Sequence, residues 1–168
     1  MTLPSKPKLT PEQGLTRLLR LIRDSRDLSD FTPERVGEAM GVEMEFSSSG
    51  REEYGFYEPV TPEWLQGLDF SKKHQRLRFS FDPREPGSSP DLTDVCQFDF
   101  ERFSAELEAI GFTKAPSHGE HGRLTHYTFE RVKDGTREMR LDITPEGEHA
   151  WKEQTGSGRA CIRSVYIH

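Results

Sequence analysis

The sequence predicts an α+β fold: a mainly antiparallel sheet packed with an N-terminal helix and a central amphipathic helix. Three observations predict it. Apolar residues first recur at helical spacing, over residues 15–22. They then alternate with polar ones along several short runs. The same order, helix and then strands, returns after residue 94. Such segregation suits an antiparallel sheet with helices set to one side, because βαβ units would interleave the two patterns. At 168 residues the chain reads as a single domain, with residues 1–9 a flexible tail and residues 83–93 a mobile loop.

The tripeptide Thr-Pro-Glu begins at Thr10, Thr32, Thr61 and Thr144, and each copy reads as a helix start. Thr caps a helix, Pro is tolerated at the first helical position, and Glu favours the positive end of the helix dipole. After Thr10, Leu15, Leu18, Leu19 and Ile22 share a face, with Arg17, Arg20 and Arg23 on the polar side. After Thr32, Val36 and Met40 sit one turn apart, and Gly41 should end the helix. After Thr61, Trp64, Leu65 and Leu68 suggest two turns. The start at Thr144 is opposed by Gly147.

Val42, Met44 and Phe46 alternate with Glu43 and Glu45, which marks a strand with one wet face. Tyr54 and Phe56 do the same after a turn in SSSGRE, and so do Leu77, Phe79 and Phe81. Residues 82–94, DPREPGSSPDLTD, form the longest loop. In FDFERFSAELEAIG, Phe100, Phe103, Leu107 and Ile110 share a helical face, with Asp99 as cap and Gly111 at the end. LTHYTFERV and TREMRLDI flank Lys133-Asp134-Gly135, a hairpin signal. ACIRSVYIH is apolar on both faces, as a central strand is.

Composition bounds the function. Asp and Glu number 29 and Lys and Arg 23, a net charge of -6. That balance repels nucleic acid and favours a partner with a basic surface. The basic cluster Lys72, Lys73, His74, Arg76 and Arg78 reads as a solvated strand edge. No apolar run approaches the ~18 residues of a membrane span. The start MTLPSKPKLTPEQ lacks the apolar core of a signal peptide, so a cytoplasmic location is expected. Cys96 and Cys161 are the two cysteines. A bridge between them needs an oxidising compartment. Unpaired, Cys96 at a helix start is a candidate for a lowered pKa, against the plainer reading of a small buried residue.

His118, His121 and His126, with Glu120 between, are the candidate metal ligands. Zinc wants three or four such groups. The set crosses from loop to strand and lacks a helical HExxH, so it reads as solvated histidines near a hairpin. No metal, cofactor or catalytic residue is assigned, since nucleophile elbow and P-loop motifs are missing from the sequence. Residues 51–64, REEYGFYEPVTPEW, are the candidate partner site. Glu52, Glu53 and Glu58 would steer a basic protein, and Tyr54, Tyr57 and Trp64 would anchor it. The competing arrangement packs the aromatics inside and leaves the acids in water.

The acidic α+β layout, the helix FERFSAELEAIGF with its aromatic-rich hairpin, and the closing strand CIRSVYI resemble a known group. They resemble the cognate immunity proteins of bacterial polymorphic toxin systems, including partners of type VI secretion effectors and of contact-dependent inhibition toxins. The resemblance covers mainly residues 95–168. It implies a non-enzymatic inhibitor that binds one toxin and covers its active site, and it assigns no single residue a role. Two other classes stay open: a small metal-dependent hydrolase built on the three histidines, and a scaffold or chaperone component of a secretion system.

Overall fold

Thr10 and Thr32 cap helices in the way their local sequence implies. The computed structural model describes residues 7–47, 52–146 and 160–168. Helix α1 spans Pro11–Asp24, and the Thr10 hydroxyl accepts from the Gln13 N–H while the Gln13 side chain accepts from the Thr10 N–H. Helix α2 spans Pro33–Met40 and ends at Gly41 in the left-handed region, φ 72°. Helix α3 spans Phe100–Ala109, with the Asp99 carboxylate accepting from the Arg102 N–H. These caps satisfy backbone groups that the first helical turn leaves without partners.

The strands are β1 (Glu45–Ser47), β2 (Glu53–Pro59), β3 (Trp64–Ser71), β4 (Arg76–Pro83), β5 (Phe112–His118), β6 (Leu124–Lys133), β7 (Thr136–Glu146) and β8 (Cys161–Ile167). All pair antiparallel in one eight-stranded sheet of order β1-β2-β3-β4-β8-β7-β6-β5. Among the described strands the two meanders, β1–β4 and β5–β7, are therefore hydrogen-bonded to each other through the last strand alone. Between β6 and β7 the turn is Asp134-Gly135, with φ 53° and 77°. Positive φ at both central residues matches the right-handed twist of a hairpin, and Asp-Gly tolerates it.

Register carries one apolar row straight across the sheet. Phe46, Tyr54, Phe70, Leu77, Ile167, Leu141 and Phe129 are successive cross-strand partners from β1 to β6. A second row runs Phe56, Leu68, Phe79, Val165, Ile143 and Tyr127. The helices cover this face. Phe100 of α3 meets Tyr127 at 4.9 Å between ring centroids. In α1, Leu15, Leu18 and Ile22 are fully buried, as are Phe103 and Leu107 in α3. Gly14 allows α1 to sit this close: a Cβ there would lie 2.3 Å from Oε1 of Gln66 and 3.0 Å from the Phe79 ring.

Arginines close the helix ends. Arg17 of α1 donates to the Met40 carbonyl at the end of α2, 2.7 Å, and Arg35 of α2 donates to the Asp24 carbonyl at the end of α1, 3.0 Å. Arg131 reaches from β6 to the Ser25 and Arg26 carbonyls just beyond α1, 2.6 and 3.0 Å. Cations at a helix C-terminus offset its partial negative charge and satisfy its open carbonyls.

Cys96 and Cys161 form a disulfide, with Cα atoms 5.2 Å apart and a sequence separation of 65. The reactive-thiol reading of Cys96 is thereby excluded for this state. The Phe100 N–H also donates to the Ala160 carbonyl, 2.9 Å, so the start of α3 is tied twice to the start of β8.

Several expectations fail. Thr61 starts no helix: its hydroxyl accepts from the Glu63 and Trp64 N–H groups in a tight turn, and β3 begins at once. Thr144 and Pro145 lie inside β7, where the register shifts between them and Pro145 then stands opposite Ile162 of β8. The same cap chemistry serves helices and turns, and the β-paired sequence downstream decides. Val42 and Met44 precede β1, which is only three residues long. Arg76 and Arg78 do not lie on a sheet edge, because β4 pairs with β3 and β8. Strand β5 was not foreseen. Of the expected flexible tail, residues 1–6 lie outside the described residues, while Leu9 is fully buried. Most of the SSSGRE turn lies outside them as well.

Two outcomes test this packing. Leu107→Ala should lose ~2–5 kcal/mol in denaturant unfolding, as buried Leu truncations do, and a loss under ~0.5 kcal/mol would place Leu107 at the surface. Replacing both Cys96 and Cys161 by Ser should cost ~2–4 kcal/mol, and reductant should move the wild-type midpoint toward that of the variant.

Candidate interaction surface

Alternation along β2 splits the proposed partner segment between the two faces of the sheet. Tyr54, Phe56 and Glu58 point to the helix side, opposite Phe70, Leu68 and Gln66. Glu58 is used internally: its carboxylate accepts from the Leu9 N–H at 2.8 Å and the Lys8 N–H at 3.1 Å, holding the start of the described chain against β2. Gln66, fully buried, donates to the Leu9 carbonyl at 2.8 Å.

Trp64 is not a surface anchor, which corrects the sequence reading. It is 1% exposed, its indole N–H donates to the Asp91 carbonyl at 2.8 Å, and the Arg163 guanidinium lies 5.1 Å from its ring. The Trp64 contact pins the end of the loop after β4. Period-two alternation placed Trp64 on the core side as soon as the segment became a strand.

Tyr57 faces the opposite way and is 52% exposed. Its ring packs against Gly67, where a Cβ would come within 2.3 Å of a ring carbon. Its hydroxyl bonds to the Asp69 carboxylate. Burial of the phenol, and then that carboxylate, push its pKa far above the ordinary tyrosine value. The phenol therefore stays a neutral donor through alkaline conditions.

Glu52 and Glu53 stay accessible, with Glu52 exposed and Glu53 half-buried at the start of β2. They join a larger acidic field. Residues 33–60 hold seven glutamates and two arginines, so five of the six excess negative charges of the chain sit there. Helix α2 and the β1–β2 end of the sheet bring Glu34, Glu38, Glu43 and Tyr54 around one groove of about 270 Å³.

The face away from the helices is polar. Asp142 of β7 is its most connected group. His168 Nε2 lies 2.8 Å from one carboxylate oxygen, and Thr128 donates to the other at 3.0 Å. Arg140 approaches at 3.3 Å and His126 Nε2 at 3.5 Å. Burial pushes the Asp142 pKa upward, but the bonds from His168 and Thr128 and the charge of Arg140 outweigh it and leave it below the usual carboxylate range.

His126 thus belongs with Asp142 and His168 and is not gathered with His118 and His121. His118 ends β5, and His121 lies in the following turn at φ 59°. Among the described residues, no group of three or more His, Cys, Asp and Glu is placed to hold a metal ion. No helix among them is long and apolar enough to cross a membrane. The Asp142 cluster escaped sequence reasoning because its members are spread over residues 126–168, and only the β6-β7-β8 register unites them.

Comparison with protein-family models, with curated proteins and with solved structures finds no match.

Asp142 sets an acid-stability test. A carboxylate with a depressed folded pKa stabilises the fold above its unfolded pKa, ~3.9, and the contribution disappears as pH falls through the folded value. Asp142→Asn should therefore unfold more easily than wild type at pH 6–7 in denaturant titrations. The difference should shrink below about pH 4. A constant difference at all pH values would show that the carboxylate charge is not what the network uses.

Proposed function

We propose that the protein is a non-enzymatic immunity protein that binds a cognate bacterial toxin with a basic surface and neutralises it by covering its active site. The observation that supports this most is charge placement. Five of the six excess negative charges fall on residues 33–60, the stretch of α2 and the β1–β2 ribbon, beside exposed aromatic surface. A one-sided field of that sign speeds encounter with a cationic protein, and desolvated aromatic anchors slow its release. The resemblance of residues 95–168 to immunity proteins points the same way.

Compartment enters through the cysteine pair. Disulfides persist in oxidising compartments and are rare in the reducing cytosol. The Cys96–Cys161 bridge therefore favours an oxidising location over the cytoplasmic one expected from the sequence. Thiol trapping in intact cells of the source bacterium decides between them: protected cysteines support the oxidised location, and freely alkylated ones restore the cytoplasmic reading.

The functional test is growth protection. Each toxin candidate encoded beside the gene is expressed in a susceptible host, in the compartment where it acts, with and without this chain. The expected result is rescue of growth by wild type and a stable co-purifying complex. Charge reversal of Glu52 and Glu53 to Lys should mainly slow association and reduce its salt dependence. Failure to protect against any neighbouring toxin would overturn the reading.

A further inference from the structure

The helix layer stops before the sheet does. Phe46 continues the apolar row onto β1, directly opposite Tyr54, with ring centroids 5.1 Å apart. Yet Phe46 is 59% exposed, the largest exposure among the bulky apolar side chains described. Between Tyr54 of this pair and α2 runs the groove of about 270 Å³. Its walls are the apolar Val42, Met44 and Tyr54, against Pro33 and Gly37 of α2. A Cβ at Gly37 would lie 2.8 Å from the Val42 carbonyl, so a glycine is what lets the segment before β1 pack this close to the helix.

The groove is apolar at its floor and acidic at its rim. Glu34, Glu38 and Glu43 line it, all exposed. Among the described residues, none of the three carboxylates engages an arginine, lysine or histidine in an ion pair. Elsewhere on the protein carboxylates are commonly paired, as Asp30 is with Arg26 and Glu146 with Arg163. An apolar slot with an unneutralised acidic rim matches one side-chain chemistry: an aliphatic stem carrying a cation, which buries its methylenes and keeps its charge at the surface. Tyr54 adds an aromatic ring, to which a guanidinium or ammonium is attracted, and Phe46 packs against that ring.

The adjoining sheet edge fits an extended occupant. The two outer strands are β1 and β5. Strand β5 carries Lys114 and Pro116, features that discourage strand addition. Strand β1 carries neither, and its three residues are exposed. Among the described residues no strand pairs with its outer side, the arrangement that strand addition uses.

We infer that the groove between α2 and β1–β2 receives a lysine or arginine side chain of a basic protein partner, presented on an extended segment lying along β1. This rests on the reading of the chain as a toxin inhibitor and names the part of the toxin that it grips. A second copy of this chain is disfavoured as occupant, because its own α2–β2 end would bring like charge. Nucleic acid is disfavoured for the same reason.

The test uses the full chain and a short synthetic probe, acetyl-Val-Arg-Val-Lys-Val-amide, followed by amide chemical shifts at increasing peptide concentration. Shifts should cluster at Val42, Glu43, Met44, Phe46 and Tyr54. A peptide with Glu replacing Arg and Lys should leave them unmoved. Glu38→Lys with Glu43→Lys should weaken the basic peptide by roughly tenfold or more, and Met44→Ser should weaken it without changing its salt dependence. These residues are exposed or half-buried, and unchanged melting curves would confirm folded variants. Shifts that map elsewhere, no shifts at all, or a dimer formed through this face in sedimentation would overturn the groove assignment. The two readings fail separately. If a neighbouring toxin is neutralised equally well by wild type and by the double Lys variant, the groove assignment falls and the inhibitor reading stands. If the peptide binds in the groove and no toxin is neutralised, the groove stands as a site for basic segments and the toxin reading falls.

Discussion

The structure depends on its last strand. Among the described residues β8 is the only strand joining the β1–β4 meander to the β5–β7 meander, and it pairs with β4 on one side and β7 on the other. Its inward residues Val165 and Ile167 are the middle members of both apolar rows, and both are fully buried. Without β8 the sheet has two open edges in its centre, each lined by Phe79 and Leu77 or by Ile143 and Leu141. Pairing β4 with β8 closes a loop of more than eighty residues, an entropic cost that only the whole row of side-chain contacts offsets. The bridge from Cys161 to Cys96 at the head of β8 and the Ala160 carbonyl at the N-terminus of α3 hold the strand where that cost is highest. A cross-link acts here on the unfolded chain, by limiting how far the ends of this loop can separate.

One-sided coverage follows from the same arrangement. Three helices on one face can bury the rows from β2 to β6, and polar residues occupy the other face. That face cannot rely on apolar burial, so its side chains satisfy one another: Tyr57 with Asp69, Thr128 and His168 with Asp142. Such networks hold register, since a one-residue slip would turn Asp142 into the core and Leu141 out of it. The helix ends show the same economy across layers, with Arg17, Arg35 and Arg131 each closing a carbonyl that belongs to another element.

What was legible in the sequence was whatever a single segment determines alone. The capped helices after Thr10 and Thr32, the α3 stripe of Phe103 and Leu107, the Asp-Gly hairpin and the two-faced apolar pattern of the last strand can each be read within one short segment. The misreadings share a cause. Thr61-Pro62-Glu63 and Thr144-Pro145-Glu146 carry the same local chemistry as the true starts, and only pairing with β2, β4 and β8 makes the flanking residues extended. Strand β5 was hidden because FTKAPSH is polar on both faces, as an outer strand guarded by Pro and Lys is expected to be. Of the candidate partner residues, the acids were readable as acids. Which aromatics remain outside was not, because it turns on the parity of each residue in a strand: Trp64 and Tyr54 fall on the helix side, Tyr57 on the other. The groove residues Val42, Met44 and Phe46 were visible only as an alternating run, because α2 becomes their neighbour through folding.

Placement of the acidic groove would also separate the proposed binding from stability. It lies at the β1 end, three strands from the β4–β8 seam, where the sheet thins to a three-residue strand and the helix layer ends. Residues there contribute few buried contacts, so their side chains are free to suit a partner instead of a core. The core rows run into this end without a break, from Leu77 and Phe70 through Tyr54 to Phe46. A partner that covers Phe46 would therefore complete the row that the helices leave unfinished. Its binding would draw on the same burial that folds the protein, with the surrounding carboxylates selecting a cationic segment and turning anionic ones away.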